Sequence, residues 1–268
     1  MNKETQTAYE RVLQARSKER AGIMDYIEAL FTDFVELKGD RLGKEDESIV
    51  GGIAMFHKIP VTVIGHRKGK STEENVKYNF GMTSPEGYRK ALRLMRQAEK
   101  FERPVITLID TPGAYPGPEA ESNGQSTAIA ESIAAMSSLK TPVIAIITGE
   151  GSSGGALALA VADKVWMLEN AVYSILSPEG FASILWKDST RAAEACDVMK
   201  ITAEELLEFG LIDGIVPENE QMMKTMDRML LEELKKLRKI KGSVIAKNRY
   251  EKFRKIDGTY LALPERPR

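Results

Sequence analysis

The run Thr148-Gly149-Glu150-Gly151-Ser152-Ser153-Gly154-Gly155-Ala156 lies between an apolar, strand-like segment, Pro142–Thr148, and a small-residue helical pattern. Glycines allow positive φ and close approach of the backbone to a ligand. The first amides of a helix have no internal acceptor, and the helix dipole favours negative charge there. The Gly149–Gly155 turn can therefore hold an oxyanion with backbone alone, each donor being worth about 3–4 kcal/mol at a developing negative charge. A tight, closely packed strand–helix turn is the plainer alternative, and Ala158 and Ala160 fit it equally.

Three sharper readings compete around this turn. Gly151-Ser152-Ser153-Gly154-Gly155 matches G-x-S-x-G, the nucleophile elbow, whose mechanism needs a histidine after the serine. The two histidines, His57 and His66, both precede it, which excludes that order and leaves a serine–lysine variant with Lys164 or Lys187 as base. Gly65-His66-Arg67-Lys68-Gly69-Lys70-Ser71 looks like a phosphate loop but has three residues between its glycines, where the P-loop needs four. Its basic cluster suits either a phosphate-bearing ligand or a solvated loop. Val198-Met199-Lys200-Ile201 faintly resembles the Met-Lys-Met of biotin carriers, yet it precedes a capping box, Thr202-Ala203-Glu204-Glu205, rather than lying on a hairpin.

Regular elements must position these residues. The apolar spacing of Ile23, Ile27, Leu30, Phe34 and Leu37 predicts helix over residues 8–38, with a break near Gly22 and a stop at Gly39. Ile49–Phe56 and Pro60–Gly65 read as strands, and 67–77 as an exposed loop. Ser84-Pro85-Glu86-Gly87 opens a helix to about Phe101, and the same four residues recur at Ser177–Gly180. Strand Pro104–Asp110, a turn-rich loop, a helix over 119–139, the strand before the glycine turn and Val165–Leu168 follow. This alternation predicts an α/β protein with parallel strands buried on both faces. Residues 219–257 read as a charged helical segment, and no linker divides the 268 residues, so a single domain is expected.

Composition removes several function classes. With 38 basic and 39 acidic residues, the net charge of -1 gives no footprint for nucleic acid. One cysteine, Cys196, excludes an internal disulfide and a thiolate-rich zinc site, so no metal is expected. No apolar run reaches the roughly 18 residues of a membrane span, and the first residues show no signal-peptide core; a cytoplasmic protein is expected.

Several long motifs in fixed order are shared with one family. They are Asn79-Phe80-Gly81-Met82 with Pro85–Ala91, Asp110–Gly117, Gly124-Gln125-Ser126, the turn Gly149–Ala158, and Ser177–Gly180 with Ala182–Trp186. Over about Tyr26 to Pro217 the chain resembles the alpha subunit of bacterial acetyl-CoA carboxylase carboxyltransferase. The resemblance implies a crotonase-like (ClpP/crotonase) fold of repeated β-β-α units with C-terminal helices. It also implies carboxyl transfer from carboxybiotin on a carrier protein to acetyl-CoA, giving malonyl-CoA for fatty acid biosynthesis. The implied partners are a beta subunit in an α2β2 assembly, a biotin carboxyl carrier protein and an ATP-dependent biotin carboxylase, with zinc only on the beta subunit. No covalently bound cofactor is implied for this chain.

By motif, Gly154, Gly155 and the Ala156 amide would stabilise the biotin enolate, with biotin itself as base. Gly113, Ala114, Tyr115, Pro116 and Ser153 would line the substrate. The chain departs from the family with Ser152 in place of a second glycine, with Glu121-Ser122-Asn123-Gly124, and with a shorter N-terminus. Two other readings stand beside this one. One is a lone acyl-CoA hydratase or decarboxylase using Glu150 and Glu179, and the other is a non-catalytic scaffold subunit.

Overall fold

The computed structural model describes residues 6–261, with side chains to residue 256. The chain opens with α1 (Ala8–Ala15) and α2 (Ile23–Leu30), then enters the sheet with β1 (Thr32–Glu36), β2 (Ile49–Phe56) and β3 (Ile59–His66). Next come α3 (Thr72–Lys77), α4 (Pro85–Lys100), β4 (Val105–Thr111), α5 (Pro118–Ser122), α6 (Gln125–Ser138), β5 (Val143–Ser152) and α7 (Ser153–Ala160). The remainder is β6 (Lys164–Leu168), β7 (Val172–Ser174), α8 (Pro178–Trp186), α9 (Ala192–Met199), α10 (Ala203–Glu208), β8 (Gly214–Val216), α11 (Met222–Leu237) and α12 (Gly242–Leu261). A β–β–α order recurs, at β2–β3 before α3 and α4 and at β6–β7 before α8.

One sheet runs β1-β2-β3-β4-β5-β6-β8, with β7 added to the far end of β5. β1, β2 and β3 pair antiparallel, and β3 through β8 pair parallel. Val105, Ile106, Leu108 and Ile109 of β4 and Val143–Ile147 of β5 are buried throughout, as expected of strands covered on both faces. Each such aliphatic side chain contributes about 1.5–3 kcal/mol of transfer free energy, so the parallel centre is the rigid part of the molecule. Its C-terminal strand ends carry the glycine motifs.

The helix expected over 8–38 is corrected in its last third. α2 ends at Leu30, Phe31 is extended, and β1 pairs with Met55, Ile53 and Gly52. Phe34 and Leu37 satisfy helical spacing, but an edge strand competes for the same residues. A side chain at Gly52 would lie 2.2 Å from the Val35 carbonyl, so that glycine admits the strand. The helix expected over 119–139 is two helices, because Gly124 takes a left-handed φ of 82° between α5 and α6. The expected 67–77 loop closes into α3, which Ser71 caps by accepting the Glu74 amide. Both Ser-Pro-Glu-Gly motifs begin helices, α4 and α8, with proline in the first turn.

Candidate active site

The glycine motif divides into two structures where the sequence suggested one turn. Strand β5 continues to Ser152, and α7 starts directly at Ser153. Pairing passes from Ile109↔Ile147 to Thr111↔Gly151, so Thr148, Gly149 and Glu150 bulge opposite the single residue Asp110. Gly149 is required here because a Cβ would fall 2.4 Å from an Asp110 carboxylate oxygen. That carboxylate accepts the Glu150 amide at 2.9 Å, while Arg20 donates to the Thr148 carbonyl at 2.7 Å and 3.0 Å. The bulge is a braced shelf, and the bend itself is made by Ser153 alone, with φ 56°. Ser152, which replaces an expected glycine, has an extended φ of -115° and is unstrained.

The amides of Ser153, Gly154 and Gly155 stand in the first turn of α7, where a helix offers no acceptor. Ala156 is fully buried one position later, at the end of that first turn. Facing them is the loop after β4. Gly113 has φ 142°, and the Thr111 hydroxyl holds its backbone at both the amide and the carbonyl. The Ala114 amide has no hydrogen-bond partner among the described residues. A Cβ built on Gly155 would lie 2.7 Å from that amide nitrogen, 2.8 Å from the Gly113 carbonyl carbon and 2.8 Å from the Tyr88 hydroxyl. The two loops therefore meet at Gly155. The Ala114 amide, which the motif comparison had given only a lining role, is an unmet donor at this seam.

Tyr88 reaches the seam from α4, among Ala128, Ala158, Ala114 and Ile129. Its buried hydroxyl makes no well-formed hydrogen bond among the described residues, the Thr83 side chain lying close but out of line, an arrangement that costs up to about 1–3 kcal/mol. Burial raises its pKa and outweighs the opposing influence of Thr83, so the phenol stays protonated.

Below the seam, charged groups tie the strand ends together. Lys68 lies 2.7 Å from Asp110 and 2.9 Å from Glu150, and Arg16 lies 2.8 Å from Glu150 and 2.7 Å from Glu179. Burial alone would raise the Glu150 pKa, but Lys68 and Arg16 lower it below the usual 4.5. Lys68, read from sequence as part of an exposed loop, instead bridges β4 and β5. The hydratase reading needs Glu150 and Glu179 as free acid–base groups, whereas both are held by the one Arg16.

No acid–base dyad is formed with Ser153 among the described residues. His66 is buried with neither ring nitrogen partnered, and burial together with the Lys68 charge lowers its pKa to about 3. His57 pairs with Asp227 at 2.8 Å on the opposite, exposed β2–β3 turn. Lys164 pairs with Asp213, and Lys187 ends α8. The Ser153 backbone is the strained element, and a left-handed non-glycine residue costs on the order of 1 kcal/mol. Ser153→Gly is thus expected to raise stability by up to about 1 kcal/mol in denaturant unfolding. Turnover should stay within about tenfold of the parent, whereas loss of a nucleophile costs on the order of 10⁶.

Ser153, Gly154 and Leu157 form one wall of an apolar groove of about 740 Å³, with Phe181, Met199 and Phe253 among the opposite residues. Tyr115 and Pro116 are not brought to it. Tyr115 donates its amide to the Thr83 carbonyl and lines a separate polar recess with Glu86 and Glu119, and Pro116 is exposed. Lys200 ends α9 in a left-handed turn and pairs with Glu205, so the Val198–Ile201 segment is not a carrier hairpin.

A parallel sheet with two glycine loops apposed at its strand ends is the architecture of the crotonase-like carboxyltransferases. The fold superposes on transcarboxylase 12S with a TM-score of 0.70 at 18% identity, over 82% of this chain and 42% of that one. On a chain of a Pseudomonas malonate decarboxylase hetero-tetramer the TM-score is 0.64 at 14% identity, over 80% and 90% of the two chains. A family model described as acetyl co-enzyme A carboxylase carboxyltransferase-like matches residues 3–257. Identity is 54% to the acetyl-coenzyme A carboxylase carboxyl transferase subunit alpha of Carboxydothermus hydrogenoformans, over 93% of this chain and 80% of the relative. It is also 54% to that of Clostridium acetobutylicum, over 95% and 96%. A Natranaerobius thermophilus protein named as subunits beta/alpha is 55% identical over 93% of this chain and 43% of its own length. The chain belongs to the family of acetyl-CoA carboxylase carboxyltransferase alpha subunits.

Proposed function

We propose that the chain is the alpha half of a carboxyltransferase that moves a carboxyl group from carboxybiotin, presented on a carrier protein, to acetyl-CoA. The product is malonyl-CoA for fatty acid synthesis. The observation that carries this is the unmet Ala114 amide set against the first turn of α7 at Gly155, with no acid–base dyad beside it among the described residues. Such a pair offers hydrogen bonds to an oxygen that gains negative charge and does nothing else. It suits a reaction in which the substrates supply the base and the protein supplies orientation and charge stabilisation. Gly154, Gly155 and the Ala156 amide, with Ala114, are the proposed donors. Gly113 sets the loop and Ser153 aims the helix. Tyr115 and Pro116 support the loop from its outer side.

The groove beside Gly154 is only partly enclosed by this chain, and the site is proposed to be completed by a beta subunit in an α2β2 assembly. That subunit would carry the second oxyanion site and the zinc. Biotin carboxyl carrier protein and biotin carboxylase are the remaining proposed partners, in the cytoplasm. Reconstitution tests the reading: carboxylated carrier and acetyl-CoA are expected to yield malonyl-CoA with the beta subunit present and none with this chain alone. Malonyl-CoA from the isolated chain, or hydration of an enoyl-CoA by it, would contradict the shared site.

A further inference from the structure

Tyr88 brings a hydroxyl to the seam between α7 and the loop after β4, where it makes no well-formed hydrogen bond and has only the poorly aligned Thr83 side chain beside it. Phenylalanine would fill the same space with no unmet hydrogen bond, so the ring does not account for the tyrosine. The side chain is closed off from solvent and borders neither the apolar groove nor the polar recess. It packs against Ala114 and lies beside Gly155. The neighbouring Ala114 amide also has no hydrogen-bond partner among the described residues, so the seam holds two groups with bonding capacity to spare.

We propose that Tyr88 is a positioning residue for the Ala114–Gly155 donor pair. Its hydroxyl bonds the backbone of this seam once a ligand oxygen draws the amides into line, and so favours the aligned arrangement over the relaxed one. This rests on the carboxyl-transfer reading. A bond gained only in the aligned state raises kcat and leaves ground-state binding unchanged.

The test is Tyr88→Phe in the assembled alpha–beta carboxyltransferase, with carboxylated carrier and acetyl-CoA. The expected result is a kcat lower by about tenfold, a fraction of the 10²–10³ that a direct oxyanion donor provides. KM for acetyl-CoA should be unchanged, and the melting temperature should be equal or higher because an orphan hydroxyl has gone. An active parent assembly with an unaffected Tyr88→Phe kcat overturns the inference alone. A melting temperature that falls together with kcat also overturns it, since the hydroxyl would then be an ordinary structural bond. A parent assembly that makes no malonyl-CoA overturns the carboxyl-transfer reading and this inference with it.

Discussion

Gly155→Ala is expected to reduce carboxyl transfer by about 10²–10³, the loss that follows removal of one oxyanion donor. The variant keeps its amide, so the effect comes through geometry. The new methyl would stand 2.7 Å from the Ala114 nitrogen and 2.8 Å from the Gly113 carbonyl carbon. Both are backbone atoms of a loop that Thr111 pins through its hydroxyl, so neither can swing aside as a side-chain end would. The loop must retreat, which separates the donor pair and overpacks a closed seam at a cost of about 1–3 kcal/mol. Turnover and melting temperature should therefore fall together. Gly154→Ala is the control, because its methyl meets only Ile129 at 3.5 Å, an ordinary contact. That neighbour is expected to keep the parent's stability. A Gly155→Ala protein with parental turnover would show that the charge-stabilising donors lie elsewhere.

This contrast marks how far the sequence could be read. The alternation of strand and helix, the motif positions at strand ends and the lack of a usable histidine were all legible, because each depends on local pattern. The division of labour inside the glycine motif was not. Gly149 is a bulge glycine facing Asp110, Gly155 is a seam glycine facing Ala114, and Ser153 makes the bend. All three belong to one short run whose members differ only in what lies across from them. Ala114 itself was read as lining because an alanine side chain says nothing about its amide. Tyr88 lay inside a recognised motif, yet its spacing there is that of a core residue on α4, and only its unmet hydroxyl sets it apart. Lys68 was hidden by composition, since a Lys/Arg-rich stretch ordinarily faces solvent and one inward-turned member leaves no periodic trace.

Lys68→Met is expected to lower stability by about 3 kcal/mol at neutral pH, the low end of the range for breaking a buried ion pair. The low end applies because 22% of the Lys68 side chain remains exposed. For a chain of this size the shift corresponds to about 5 °C in melting temperature. The methionine fills most of the volume, so the loss is one of charge: Asp110 and Glu150 are left facing each other, with only Arg16 still on Glu150. In the parent, the folded pKa of Glu150 lies below 4.5, so the carboxylate stabilises the fold above that value and the contribution is lost as pH falls through the folded pKa. Without Lys68 the burial penalty has less opposing it and the folded pKa rises. A buried acid with a raised pKa destabilises the fold at high pH, and the penalty disappears as protonation begins. The melting-temperature gap between parent and variant should thus be widest near pH 7 and close as pH falls toward about 4–5. Thermal melts across that range decide it. A gap independent of pH would show that Lys68 acts through packing, and no gap would show that Arg16 alone holds the β4–β5 shelf beneath the donor pair.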